Sequence, residues 1–151
     1  MADESSHVEL LCEWVSSLLS STEELLDEAT KERLLESCGR ACAIHYGSSE
    51  TAQSIAKSAE QIDERLDQVN QKISWCGKWV RDKNTITCVC ESCGCPLVRE
   101  GLAALSPIFC NCSRGYVKAV FEVILGGPVT VDLKQAIGRG DPMCQYVVKA
   151  R

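Results

Sequence analysis

The sequence predicts an α+β fold in which N-terminal helices pack on a small antiparallel sheet, with one further helix before the last two strands. Three observations predict it. Apolar residues recur at helical spacing through the first half of the chain, β-branched residues alternate in the second half, and the helices precede the strands. The 151 residues fit a single domain, with a helical part over 1–80 and a cysteine-rich part over 81–151.

Three helices are predicted in the first half. An apolar stripe marks the first, and it comprises Val8, Leu11, Cys12, Val15, Leu18 and Leu19. Ser21 or Thr22 is the predicted N-cap of the second helix, because Glu24 follows at the spacing of a capping box. That helix runs through Gly39 and ends before Gly47. A longer stripe predicts one continuous third helix with Ile55, Ala59, Ile62, Leu66, Val69 and Ile73 on its core face.

The second half predicts strands, a loop and one more helix. A strand is expected over 85–90, an irregular cysteine-lined loop over 91–107, and two further strands over 129–133 and 143–150. Ser113 is the predicted N-cap of the last helix, which ends before Gly126. The core face of that helix should hold Val117, Val120, Phe121, Ile124 and Leu125.

Composition excludes several classes of partner. The formal net charge is −5, and much of it comes from the acidic start of the chain. Such a charge repels phosphate backbones, so no nucleic-acid partner is predicted. No apolar run approaches the ~18 residues of a membrane span, so no membrane partner is predicted either. The polar start does not resemble a signal peptide, which predicts a cytoplasmic location. Formation of a homodimer is left open.

Eleven cysteines are the outlier of the composition. Their odd number and the absence of a leader-like segment favour thiols used as ligands or nucleophiles over a disulfide framework. Soft thiolates at close spacing bind zinc or iron–sulfur clusters. The predicted metal ligands are Cys88, Cys90, Cys93, Cys95, Cys110, Cys112 and Cys144. A disulfide within this group is the alternative. Cys12 and Cys76 stand alone and are expected to be small buried apolar residues.

Cys112, or Cys110 beside it, is predicted to be either a metal ligand or a nucleophile. If the last helix begins at Ser113, its unpaired N–H groups, its dipole and Arg114 would lower the pKa of Cys112. A lowered pKa raises the thiolate fraction near neutral pH, which suits both roles. The sequence does not separate them.

A second constellation comprises Cys38, Cys42 and His45. Steps of four and three place them on one helix face, where they could bind a cofactor or place a thiol beside an imidazole base. The alternative is that they continue the buried stripe of Leu35. A histidine on such an apolar face needs a partner, so this face is expected to meet the cysteine cluster.

The C-terminal part resembles the 4-vinyl reductase domain family over roughly the last 40 residues. The resemblance rests on Cys112-Ser-Arg-Gly-Tyr116, Leu125-Gly-Gly-Pro-Val129 and Gly140-Asp-Pro-Met-Cys144-Gln-Tyr146, which occur in the order and at the spacing of that family. The cysteine-rich middle and the Cys38–His45 helix resemble an uncharacterised bacterial and archaeal branch of it. The resemblance implies a small-molecule-binding fold that also occurs in vesicle-tethering subunits and in sensor domains of aromatic-responsive regulators.

Those sensor domains can hold zinc through a cysteine before the helix, a Glu-x-x-Cys and a cysteine on the last strand. Cys112 and Cys144 match the first and last of these ligands, whereas Leu133 and Ala136 stand at the middle pair and cannot bind metal. The other cysteines would have to replace the missing ligands.

The predicted function is therefore a metal-dependent domain that binds or senses a small molecule in an apolar pocket. The alternative is a thiol-dependent hydrolase or reductase with Cys112 or Cys110 as nucleophile and His45 as base. The tail also resembles hydrolases of cyclic amino-thiazoline carboxylates, which supports this alternative.

Overall fold

A computed structural model describes residues 4–151 of the protein, which adopt the α+β fold that the sequence predicts. The helices are α1 (Glu4–Leu25), α2 (Glu28–His45), α3 (Ser48–Ser58), α4 (Ile62–Lys72), the single turn α5 (Pro96–Arg99) and α6 (Pro107–Leu125). The strands are β1 (Trp79–Asp82), β2 (Thr85–Cys90), β3 (Val129–Gln135) and β4 (Cys144–Ala150), and a short 3₁₀ turn spans Ile137–Arg139.

The strands form one antiparallel sheet in the order β1-β2-β4-β3. β2, β3 and β4 confirm the three predicted strands. β1 was missed, because it is only four residues long and exposes three of them. Cys90 at the end of β2 lies opposite Cys144 at the start of β4, and Leu133 of β3 lies opposite Tyr146 of β4. Alternate residues of β4 are buried, so one face of the sheet carries the core.

Helix α6 supplies much of the core above this face. Four residues of its predicted core face are buried, namely Val117, Val120, Phe121 and Ile124, and Leu125 packs against them while partly exposed. The helix ends before Gly126 as predicted, but its predicted start is wrong. Its N-cap is Ser106, with Pro107 in the first turn. Ser113 lies inside the helix, where its hydroxyl donates to the carbonyl of Cys110 at 2.8 Å.

Helices α2 and α6 approach each other closely at two glycines. A Cβ on Gly39 would collide with the carbonyl oxygen of Cys112 and lie 2.6 Å from the backbone nitrogen of Tyr116. A Cβ on Gly115 would lie 2.6 Å from the Cα of Glu36. Only glycine permits backbones to come this near, so both glycines are part of the helix contact.

Ion pairs flank this contact along one side. Arg114 pairs with Glu32 at 2.8 Å and Lys118 with Glu36 at 2.8 Å, each pair separated by 82 residues in the chain. Arg40 pairs with Glu122 at 2.9 Å with the same separation. Because the separation is constant, the two helices run parallel. Exposed ion pairs contribute only about 0–1 kcal/mol each, so their main effect is on the register.

Helix α1 differs from its prediction. It extends through the residues expected to cap the second helix, and the hydroxyl of Thr22 donates to the carbonyl of Leu18 within the helix. The N-cap of α2 is Asp27, which accepts from the backbone N–H of Thr30 at 3.0 Å. The apolar stripe of α1 is largely exposed, as are two further apolar residues on the helix: Val8, Leu11 and Leu18, with Leu10 and Trp14.

The predicted third helix is two helices. α3 ends at Ser58 and α4 begins at Ile62, with Ala59 in an extended conformation between them. Arg65 satisfies the carbonyls freed at this break, donating to Ala59 at 2.7 Å and to Ala56 at 3.1 Å. The stripe nevertheless faces the core as expected, since Ile55, Ala59, Leu66, Val69 and Ile73 are buried.

Among helices α1 to α6, none is both long enough and apolar enough to cross a membrane.

The contact at Gly39 can be tested by adding one methyl group. Gly39→Ala should lower the free energy of unfolding by about 1–3 kcal/mol, because the methyl group meets backbone atoms that cannot rotate away. Gly127→Ala is the matched control, since nothing lies within 4 Å of its Cβ position. Urea unfolding followed by circular dichroism measures both. Equal stability of the two variants would show that the helices are not in close contact.

Candidate functional site

Four aromatic rings surround a small cavity between α4, α6 and the sheet, and this aromatic cavity is the candidate binding site. Its rings are Trp75, Trp79, Tyr116 and Phe121, and aliphatic side chains complete the lining: Val69, Ile73, Val117 and Val120. The free space is about 10 Å³, which is room for one water molecule. The cavity is therefore almost closed as it stands.

The outer wall of the aromatic cavity is a stacked pair of rings. Trp75 and Tyr116 lie 4.9 Å apart and within 17° of parallel, and both are partly exposed. Trp79 and Phe121 form the buried inner wall, edge to face at 4.6 Å. A molecule entering the cavity would have to part the Trp75–Tyr116 stack.

Trp75 carries a buried polar atom without a partner. Its indole Nε1 makes no hydrogen bond to any residue that the structure describes. The thiol of Cys88 is its neighbour. Burial raises the pKa of this thiol to about 11, although the indole N–H of Trp75 acts to lower it. An indole nitrogen only donates, and an unpaired buried donor costs roughly 1–3 kcal/mol. An acceptor atom on a ligand would remove that cost.

Polar side chains hold two of the rings in position. Asn70 of α4 donates to the carbonyl of Trp79 at 2.9 Å and accepts from its backbone N–H at 2.8 Å. The hydroxyls of Ser48 and Tyr116 share a hydrogen bond of 2.5 Å. These bonds attach the inner wall to α4 and the outer wall to α3.

Sequence reasoning predicted an apolar pocket but assigned none of these residues to it, since Val117, Val120 and Phe121 were predicted only as core residues of the last helix. The available signal was the pair Trp75 and Trp79, the second of which begins β1, in a chain that holds only three tryptophans. The third, Trp14, is exposed on α1. Stacking with Tyr116 depends on α6, which lies far away in sequence, so spacing alone could not reveal it.

Two cysteines are placed differently from the prediction. Cys76 and Cys90 form a disulfide, so Cys76 is not a lone apolar residue and Cys90 is not available as a thiolate ligand. The bond joins the segment after α4 to the end of β2. It anchors the backbone next to Trp75. The sulfur of Cys88 lies 4.0 Å from that of Cys90.

A second group of cysteines lies where the 91–107 segment, α6 and β4 meet. Burial raises the pKa of Cys95, Cys110 and Cys144. Cys144 also accepts from the backbone N–H of Ile137 at 3.4 Å. Cys93 is close enough for its charge to act on the other three. The structure therefore brings together four of the seven predicted ligands, and at Cys95, Cys110 and Cys144 burial favours the neutral thiol.

Cys42 and Cys112 face each other across the contact between α2 and α6. A hydrogen bond with Cys112 and, less strongly, the charge of His45 lower the pKa of Cys42 to about 6, although partial burial opposes them. The same hydrogen bond and burial raise the pKa of Cys112 above its usual value. The predicted low pKa of Cys112 is wrong, because α6 begins at Pro107 and Cys112 is not at its N-terminus.

The lowered pKa therefore lies at Cys42 on α2 and not at Cys112 on α6. Cys110, the other candidate nucleophile, is buried and has a raised pKa. Cys38 and His45 are both exposed, so the expectation of a buried histidine that needs a partner is wrong. His45 contacts the ring of Tyr46, edge to face at 4.9 Å.

Within residues 4–151, no group of three or more histidine, cysteine, aspartate or glutamate side chains is arranged to hold a metal ion. The expectation of zinc or an iron–sulfur cluster stays a prediction.

The sequence matches a family described as a family of unknown function, DUF6144, over residues 1–150. The chain belongs to this family. No curated protein matches the sequence. The resemblance of the C-terminal part to 4-vinyl reductase domains stays a prediction.

Two solved structures share the fold. One is a trafficking protein particle complex subunit 3 from Naegleria fowleri covalently bound to palmitic acid, with a TM-score of 0.57 and 16% identity, covering 98% of this chain and 97% of that one. The other is the phenol-responsive sensory domain of the transcription activator PoxR with phenol, with a TM-score of 0.56 and 18% identity, covering 89% of this chain and 73% of that one. At these identities the likeness shows the fold alone.

The disulfide predicts a thiol count. Denatured, unreduced protein should react with nine equivalents of a thiol reagent, and reduced protein with eleven. Cys76→Ser should raise the unreduced count to ten, because Cys90 loses its disulfide partner and becomes free. Cys12→Ser, which removes a free thiol of α1, should lower the count to eight. Eleven reactive thiols without reduction would contradict the pairing.

The low pKa of Cys42 predicts a pH dependence. Above its pKa the thiol is ionised and nucleophilic, so alkylation by iodoacetamide should rise through a midpoint near pH 6. In Cys112→Ala, which lacks the hydrogen-bonding thiol, the midpoint should move up toward about 8.5, the value of a free cysteine. Mass spectrometry of the tryptic peptide 41–57, which contains Cys42 as its single cysteine, measures the rate. An unchanged midpoint in the variant would rule out the role of Cys112.

Proposed function

We propose that the protein binds or senses a small aromatic compound that carries an acceptor oxygen, in the aromatic cavity. The observation that carries the proposal is the unpaired Nε1 of Trp75 within a cavity walled by rings. Ring walls favour a flat apolar ligand, and a single donor selects one acceptor atom on it.

The walls of the aromatic cavity favour a single flat ring, and the cavity has to open to admit one. A ligand ring that separates Trp75 from Tyr116 would itself stack on these rings. Opening the cavity would therefore recover much of the ring contact that it breaks. The segment that carries Trp75 lies between α4 and β1, and the ring is only partly buried. Trp79 is fully enclosed and bonded to Asn70, so the outer wall is the side that opens.

The fold neighbours support the same class of function. Palmitic acid occurs in one of the two solved structures described above, and phenol in the other. Of these, phenol matches the cavity better, because four rings enclose a short space with one donor. Either ligand needs more space than the about 10 Å³ that the rings enclose, but a single ring needs a smaller opening than an acyl chain of palmitate length.

Phenol and toluene are the probes that test the proposal. Both present one ring, but only phenol carries an acceptor oxygen. Phenol should bind to the wild-type protein about tenfold more tightly than toluene, since one hydrogen bond contributes about 1 kcal/mol and also relieves the unpaired donor. Isothermal titration calorimetry, or the perturbation of backbone amide resonances around α6, measures the difference.

Two tryptophan variants locate the effect. Trp75→Phe keeps a ring but removes the N–H, so it should reduce the preference for phenol to near unity. Trp14→Phe changes an exposed indole on α1 and should leave both affinities unchanged. Equal affinity of wild-type protein for phenol and toluene, or no saturable binding of either, would refute the proposal.

A further inference from the structure

A disulfide adjoins the aromatic cavity, and binding of a ligand does not by itself account for it. The bond joins Cys76, the residue after Trp75, to Cys90 at the end of β2. Trp75 and Tyr116 form the outer wall, which has to open before a ring can enter. The disulfide therefore restrains the side of the cavity that must move.

The segment that carries Trp75 is attached to the rest of the fold at its two ends. Ile73 after α4 is buried, and Asn70 is bonded to both the N–H and the carbonyl of Trp79. Between these points, residues 74–77 make no backbone hydrogen bond to any part of the chain that the structure describes. A short segment without such bonds opens at low free-energy cost unless other contacts hold it.

Side-chain packing and the disulfide hold residues 74–77 in place. The ring of Trp75 is stacked in the outer wall. Gly77 packs so closely on β2 that a Cβ there would collide with the carbonyl oxygen of Val89. Of these restraints only the disulfide is covalent, so breaking it is the chemical change that releases the segment.

The two sulfurs of the disulfide differ in exposure. Cys90 is completely buried in the core, whereas Cys76 is partly exposed. Thiol–disulfide exchange begins with attack on a sulfur that the incoming thiolate can reach. A reductant in solution therefore attacks Cys76, and Cys90 is the sulfur that departs.

We propose that the disulfide of Cys76 with Cys90 is a redox-controlled restraint on the outer wall, and that its reduction opens the aromatic cavity to ligand. The inference rests on the proposed function, because it describes how the same site is regulated. The reductant is a dithiol. Its thiolate attacks the sulfur of Cys76, the S–S bond breaks, and the sulfur of Cys90 takes up a proton.

The second thiol of the reductant completes the exchange. It attacks the reductant's own sulfur in the mixed disulfide, so that Cys76 leaves as a thiol and the reductant becomes a cyclic disulfide. Two electrons and two protons pass from the dithiol to the protein, which gains two thiols. Noncovalent contacts alone then hold residues 74–77, so a larger fraction of the molecules has an open outer wall.

Dithiothreitol and phenol are the probes for the wild-type protein. Phenol should bind to the reduced protein about tenfold more tightly than to the oxidised protein, because apparent affinity scales with the fraction of molecules in the open form. Isothermal titration calorimetry of the oxidised protein and of protein reduced with dithiothreitol measures the two affinities.

Cleavage by trypsin after Lys78 measures the opening without any ligand. Lys78 is exposed and adjoins residues 74–77. A protease cuts a folded segment only while that segment is open. Under native conditions trypsin should therefore cut here about tenfold faster in the reduced protein. Cleavage after Lys57, which is exposed on α3 and remote in sequence from the disulfide, should keep its rate.

Cys76→Ser removes the disulfide without a reductant. Because Cys76 is partly exposed, the new hydroxyl keeps access to water, and circular dichroism checks that the variant folds. It should behave as reduced protein in both assays, with or without dithiothreitol. Cys12→Ser, which removes a free thiol of α1, is the matched control and should respond to dithiothreitol as the wild type does. Should Cys76→Ser not fold, the two redox states of the wild-type protein decide the question alone.

Failure of this inference is distinguishable from failure of the proposed function. Equal rates of cleavage after Lys78 in the two redox states would overturn the inference. Equal or weaker binding of phenol by the reduced protein would overturn it as well. Neither result bears on whether the cavity is the binding site. Absence of phenol binding in both redox states would instead refute the proposed function, and the inference with it.

Discussion

The close contact of α2 with α6 is the constraint on which the rest of the structure depends. Gly39 and Gly115 let the two backbones touch, and a side chain at either position would drive the helices apart. Three ion pairs of constant chain separation then hold the helices parallel. Because α6 also covers the sheet, its position decides where α2 lies and which side chains of the two helices meet.

Helix α6 connects the two candidate sites. Tyr116 stacks on Trp75 in the wall of the aromatic cavity, and Cys112 lies one turn earlier on the same helix. The hydroxyl of Tyr116 is bonded to Ser48, next to the end of α2. The interaction of Cys42 with Cys112 therefore lies between the same helix α6 that positions the outer wall and its neighbour α2. The two sites differ in their chemistry, but each includes a side chain of α6.

The errors in element boundaries have one physical cause. Thr22 and Ser113 are residue types that begin helices, yet each bonds to a carbonyl of the preceding turn and stays inside a helix. The local sequence is the same whether such a residue caps a helix or lies inside one. The packing of the surrounding helix determines which of the two occurs. The break at Ala59 is similar, because Arg65 stabilises it through carbonyls that become available only after the chain has turned.

The sequence by itself determined the α+β class, the strands β2, β3 and β4, and the buried stripes of α3, α4 and α6, because each depends on periodicity within one segment. It also named Cys42 and Cys112 among its candidate site residues. Tertiary structure decided the rest. Distances between segments remote in sequence determine the disulfide of Cys76 with Cys90 and the ring walls of the cavity. They also explain why the pKa is lowered at Cys42 and not, as predicted, at Cys112. Such distances are set by packing, which no local pattern encodes.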